Sequence, residues 1–309
     1  MPTGDETAQA VAGYFGGGEN ASNSTSGIDK ITFADDTKST LSATLTSARS
    51  RLAGMANSTV AGYFGGGATY GHGTILSGID KITFPADTKS TLSATLTSAR
   101  TILGAMANSG TAGYFGGGDD GSGTKLSGID KITFSADTKS TLSATLSVAT
   151  SYVDAMANSG TAGYFGGGLG DAGRLSKIDK LTFSTEAVST LSATLTSARM
   201  SVAAMANSGV AGYFAGGHQV GSYLSGIDKI TFADDTKSTL SATLTSARTS
   251  MAAMANSGTA GYIAGGEDSS DYFSNIDKIT FSADTKSTLS ATLTATRSFL
   301  AAMADSGSL

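Results

Sequence analysis

The chain has 309 residues, of which 39% are hydrophobic, 15% are charged, 41 are Gly and none is Cys, with a net charge near −5. The lack of Cys excludes disulfide and thiolate-metal chemistry, and an acidic balance without a basic stripe argues against a nucleic-acid partner. No apolar run approaches the roughly 20 residues of a membrane helix, so membrane insertion is not expected.

Residues 1–10, "MPTGDETAQA", have neither a basic start nor an apolar stretch and read as an N-terminal tail, not a signal peptide. "VAGYFGGG" from Val11 is a strand of small and aromatic residues that ends on glycines. After "ENASNSTS" comes "IDKITF" from Ile28, β-branched and aromatic, a second strand. "ADDTKS" supplies Asp and Thr for a turn. "STLSATL" from Ser39 alternates Leu with small polar residues at period two and predicts a third strand. "SAR" then ends at Arg49, and a short window leads into the small-residue strand "AGMANS".

From there the cycle repeats. The Gly of "GY" recurs as Gly13, Gly62, Gly113, Gly163, Gly212 and Gly261, a period of about 50. "STLSATL" and the Met of "MANS" or "MADS" also come back six times. Four β blocks per period predict a four-stranded antiparallel meander. Six such sheets set radially close into a β-propeller and remove most exposed edges. The predicted fold is therefore all-β, a six-bladed β-propeller.

The Ala/Gly-rich "AAMANS" strand fits the innermost place, with its Met wedged between blades. The Tyr-Phe pair and the Phe of "ITF" fill the wider space between sheets. The chain starts on a second strand and ends on a first strand, 299–306. Pairing of these two is expected to close the ring, making 11–309 a single domain and a monomer.

The unit resembles the kelch repeat: an Arg, a small apolar strand, an aromatic strand ending in a double Gly, then two further strands. The Arg stands at Arg49, Arg100, Arg199, Arg248 and Arg297, with Thr150 in the remaining copy. The Trp usual in kelch repeats is missing. Kelch proteins range from enzymes to adaptors, so the resemblance implies a fold and not a function. The wording "GYFGGG", "IDKITF" and "STLSATLTSAR" is also similar to repetitive kelch-like proteins of marine bacteriophages, which implies a tail-fibre setting.

Residues present in every copy are what every blade needs. The Asp-Lys of "IDK" reads as a buried carboxylate that must be paired, with the repeated Arg as one partner. "GGG" lacks the Lys-Ser/Thr and the helix of a phosphate loop. Variation concentrates in two windows, one between "GGG" and "ID", the other after "SAR". In a meander both emerge on the same face of the disc, around the mouth of the central channel.

The first window holds Tyr70 and His72 in copy two, and Asp119 and Asp120 in copy three. It holds Asp171 and Arg174 in copy four, His218 and Tyr223 in copy five, and Asp268, Asp271 and Tyr272 in copy six. The second window holds Tyr152, Asp154 and Phe299. Tyr, Ser, Gly and Asn on loops over a rigid scaffold make a binding composition. The plainest window is "ENASNSTS".

The leading functional reading is a non-enzymatic recognition module for a glycan or protein surface. The alternative is a structural spacer or protein-docking scaffold made by amplifying one blade, in nature or by design. A glycan-active hydrolase using Asp120, Asp171, Asp268 and Tyr272 comes third, because no nucleophile motif is present. "DDGSG" at Asp119–Gly123 lacks the ligand count of a calcium loop, and neither metal nor cofactor is expected.

Overall fold

The computed structural model describes residues 11–305, which form six four-stranded antiparallel sheets arranged as a β-propeller. The expected tail, 1–10, and residues 306–309 lie outside the described residues. Blade 2 shows the pattern, with inner strand Ala53–Asn57, second strand Ala61–Gly65, third strand Ile79–Thr83 and outer strand Thr88–Thr91. Each inner strand touches the inner strands of both neighbouring blades, all the way round the ring.

Blade 1 is built from both ends of the chain. Its inner strand, Ala301–Ala304, pairs antiparallel with Ala12–Gly16, placing Tyr14 opposite Met303. This is the expected closure. Met303 then packs against blade 2, where a Cβ on Gly62 would lie 1.9 Å from its Sδ. That collision explains the Gly before every repeated Tyr, since Met254, Met55, Met106, Met156 and Met205 fill the same slot against the following blade.

Two further contacts recur between blades. Each Tyr of the second strand stacks on the "ITF" Phe of the next blade at 4.9–5.3 Å between ring centroids. The Tyr14 hydroxyl donates to Asp87 at 2.8 Å, and Lys30 pairs with the same carboxylate at 2.7 Å. Lys131 does the same with Glu186, the residue blade 4 carries in place of that Asp.

One expectation needs correction. The outer strand begins two residues before "STLSATL" and in blade 1 ends at Thr40, spanning Thr37–Thr40, whereas blades 3 and 6 carry it through most of that segment to Thr145 and Thr292. In the other blades the remaining "LSATLTSAR" is a crossover that keeps backbone bonds to its own blade, from Leu41 N to Ile28 O and Leu45 N to Ser26 O, while Thr46 and Arg49 reach the next blade. Leu45 is buried there, which is why Leu recurs at that spacing.

The Asp of "IDK" receives that crossover. Asp80, 1% exposed, accepts from Thr46 N, Thr46 Oγ1 and Thr91 Oγ1 and pairs with Arg49 at 2.7 Å. Burial pushes the Asp80 carboxyl up. The bonds from Thr46, the charge of Arg49 and the bond from Thr91 outweigh burial and hold its pKa below the ordinary value.

Blade 4 has Thr150 in place of the Arg, yet Asp179 still has a cation. Lys177 stands where four other blades have Gly and blade 6 has Asn275, and its Nζ bonds Asp179 Oδ2. Lys177 is a structural substitute for the missing Arg.

Two outcomes follow. Deleting 299–309 removes the inner strand of blade 1 and bares the Ala12–Gly16 edge, so stability should fall by several kcal/mol out of the about 5–15 typical of a domain. An unchanged melting temperature would rule out this closure. Lys177→Gly should cost about 3–5 kcal/mol by leaving a buried carboxylate without its cation. Adding Thr150→Arg should restore most of that loss in denaturant melts, whereas failure of this rescue would show that the two positions are independent.

Candidate functional site at the variable-loop face

The rim of the channel is made by the residue two places after each "SAR" Arg or its equivalent Thr150. These are Arg51, Ile102, Tyr152, Ser201, Ser250 and Phe299, all left-handed with φ of 51–60°. Each donates its N–H to the carbonyl of the preceding one, and Phe299 donates to Ser250 while Arg51 donates to Phe299, at 2.7–3.1 Å. The six bonds close a ring. Left-handed backbone costs an L residue roughly 1–2 kcal/mol, and none of the six positions is Gly. The closed ring is what holds side chains there.

Those side chains cover the channel mouth. Tyr152 and Phe299 come from opposite blades, with ring centroids 6.3 Å apart, and the Arg51 guanidinium sits 4.2 Å from the Phe299 centroid. Around and below them lies a cavity of about 80 Å³, with room for a few waters. Asp154 lines it, at the position where four other inner strands have Ala and one has Gly104. It is therefore a channel residue and not a loop residue. Its carboxylate accepts from Ala155 N at 2.8 Å and Ala204 N at 2.9 Å, and burial pushes its pKa up to about 7.

Beside the rim an open cleft of about 200 Å³ is lined by Tyr70, His72 and Tyr272 above Glu19, Asn20 and Arg51. Tyr70 and His72 lie on a short 3-10 turn whose Thr69 Oγ1 accepts from Thr74 N at 2.8 Å. Tyr70, 46% exposed, donates its hydroxyl to Ala21 O across the cleft at 2.5 Å. Tyr272 comes from blade 6, so the walls belong to the two blades that flank blade 1. Glu19, 9% exposed, accepts from Ser50 Oγ and pairs with Arg51, both at 2.7 Å.

Burial, followed by the Arg51 charge, lowers the His72 pKa, so the ring is neutral at pH 7 and both donates and accepts. Burial raises the Tyr272 pKa and keeps its hydroxyl protonated. The cleft thus offers exposed ring faces, neutral donors and acceptors, and a neutralised ion pair as its floor. The window "ENASNSTS" is not plain in this setting, because Glu19 and Asn20 form part of the cleft.

The other expected site residues lie apart from it. His218 stacks on Tyr223 at 4.8 Å, and its Nδ1 lies 3.1 Å from Arg174 Nη2, forming a second patch on blades 4 and 5. Asp171 pairs with Lys125 in an exposed bridge. Asp119 accepts from Gly121 N, Asp120 from Ser122 and Thr124, and Asp268 from Ser270 and Asp271, each shaping its own loop. Asp271 is exposed beside Tyr272. Among the described residues no group of three or more His, Asp or Glu is placed to hold a metal.

Sequence reasoning named neither Arg51 nor Glu19 as a site residue, yet their ion pair joins the rim to the cleft. A signal was available, because Arg51 is the one charged residue at its position in six copies. No protein-family model matches the chain, and no curated protein matches it. The six-bladed fold is compatible with the kelch resemblance, which otherwise rests on the residues themselves.

Asp154 sets a pH dependence. Between the ordinary Asp value and about 7 the folded protein keeps a proton that the unfolded chain has lost, so stability falls as pH rises through this window. The full effect is at most about 4 kcal/mol for a shift of this size, reduced by any water in the cavity. Asp154→Ala should therefore stabilise the protein at pH 8 far more than at pH 4. Parallel melting-temperature curves for the two proteins would refute the assignment.

Proposed function

We propose that this propeller is a non-enzymatic recognition module that binds a surface glycan through the cleft of Tyr70, His72 and Tyr272. One observation carries this reading: three unrepeated side chains from blades 2 and 6 converge over one floor. The repeated side chains, by contrast, are spent on packing and on blade-to-blade bonds. The exposed Tyr70 ring and the half-buried Tyr272 ring cover the apolar C–H face of a pyranose. His72, Asn20 and the Glu19–Arg51 pair meet its hydroxyls in the manner of small-ligand sites, where a few polar groups fix orientation. The scaffold holds these loops in place, so little ordering entropy is lost on binding.

The similarity of the repeat wording to kelch-like phage proteins supports a tail-fibre setting with a host-surface glycan as ligand. In that setting the monomeric disc presents the variable face outward.

Tyr70→Ala and Tyr272→Ala should each weaken glycan binding at least tenfold, read on a glycan array and by titration, with the melting temperature unchanged. His218→Ala should leave binding intact. Full-strength binding by the Tyr70/Tyr272 double variant would reject the cleft. A footprint on the opposite face, where the "MANS" turns lie, would favour a docking scaffold.

A further inference from the structure

Blade 1 departs from its five sisters at one loop position. Leu76, Leu126, Leu175, Leu224 and Phe273 each send their N–H to the last glycine of "GGG" or "GG", Gly67, Gly118, Gly168, Gly217 and Gly266. In blade 1 the same bond comes from Thr25 to Gly18 O. The backbone is kept while the large apolar side chain is lost. Where it would stand there is a pocket of about 310 Å³, between the first-window loop of blade 1 and the crossover from blade 6. Its volume is at the lower end of small-molecule sites and equals roughly ten waters.

The pocket also changes the Arg at its base. Arg49, Arg100 and Arg199 each donate Nη1 to two glycine carbonyls, and Arg248 donates to Gly265 and Asn275. Arg297, 4% exposed and lining the pocket, uses only Nη2, on Phe15 O at 3.2 Å and Asp29 at 3.0 Å. Its Nη1 has no hydrogen-bond partner among the described residues. Ser24 Oγ is buried without a partner. Asn20 spends Oδ1 on Ser22 N and Asn23 N, and its amide nitrogen has no described partner.

We infer that this pocket is a second binding site, for one neutral, polyhydroxylated ring of monosaccharide size. Charge argues for neutrality, because Arg297 is balanced by Asp29 and Glu19 by Arg51. Polarity argues for hydroxyls. The walls carry Ser24, Thr25, Thr40, Thr294 and Thr296, and only Ala295 among the lining side chains is purely apolar. Donors left open on Arg297 and Asn20 require acceptors, and a sugar ring offers them from several directions. The site shares Glu19 and Asn20 with the cleft but rests on its own observations.

The test is titration of the full chain with glucose, galactose and mannose and with their methyl glycosides, followed by saturation-transfer NMR and calorimetry. At least one neutral sugar should bind in the millimolar range or tighter. Equal binding of the methyl glycoside marks a glycan end as the source, and loss of binding on methylation marks a free sugar. Thr25→Leu, which writes the sister residue, should weaken that binding at least tenfold and leave the melting temperature unchanged or higher. Asn20→Asp, which keeps the Oδ1 that shapes the loop and removes the amide donor, should weaken it about three- to tenfold, the worth of one hydrogen bond, and serves where Thr25→Leu misfolds. The Tyr70/Tyr272 double variant should bind within twofold of the parent, which separates this site from the cleft. Absence of binding by every neutral sugar, preference for inorganic phosphate, or binding unchanged in Thr25→Leu would each overturn the proposal.

Discussion

Everything in this ring hangs on a carboxylate with no free lone pair. Asp29, Asp80, Asp130 and their counterparts in blades 4 to 6 are at most 1% exposed, and an ionised group so placed is tolerable only when fully paired. In blade 2 the donors come from two pieces of chain: the outer strand sends Thr91, while the incoming crossover sends Thr46 and Arg49. The Asp therefore ties the outer strand of its blade to the crossover that enters that blade. The Tyr stacks, the Met wedges and the rim all take their register from that point.

The tolerance of the design for change follows from the same constraint. Blade 4 loses its Arg and survives because Lys177 reaches the same oxygen from the third strand's approach. The packing between sheets shows a second exchange. Gly16, Gly65, Gly116 and Gly166 leave room for a Phe of the next blade, with hypothetical Cβ to ring distances of 2.5–2.7 Å. Blade 5 has Ala215 at this place against the smaller Ile263 of blade 6, while blade 6 has Ala264 and blade 1 keeps Phe15, so an Ala is accepted with either partner, all four side chains being fully buried. Function is then left to positions outside these couplings, which are the loop windows.

This explains what the sequence does and does not reveal. The number of blades, their strand order and the closure are legible because each repeated residue meets the same demand six times. The outer strand is drawn too long in four blades because Leu41 and Leu45 alternate as a strand would, while Leu45 in fact anchors a crossover. For the site, the census of unrepeated aromatics finds Tyr70, His72 and Tyr272 but not their company. Tyr70 and Tyr272 lie about 200 residues apart, and only the closure by Ala301–Ala304 makes blades 6 and 2 the two neighbours of blade 1. Thr25 is harder still, because a missing side chain carries no chemical signal until the space it leaves is seen.

The rim shows how stability and recognition divide the molecule. A Gly at Arg51, Ile102 or Phe299 would relieve the left-handed strain, yet the chain puts an unrelated side chain at almost every rim position. Ile102 is the most telling, since a branched Cβ suffers most from positive φ. Repeated strain with unrepeated side chains is what a scaffold would avoid and what a diversified surface requires. The strain is affordable because the ring of N–H to carbonyl bonds is independent of the side chains that rise from it. Arg51 uses this freedom to reach both the Phe299 ring and Glu19, and so links the covered channel to the floor of the cleft.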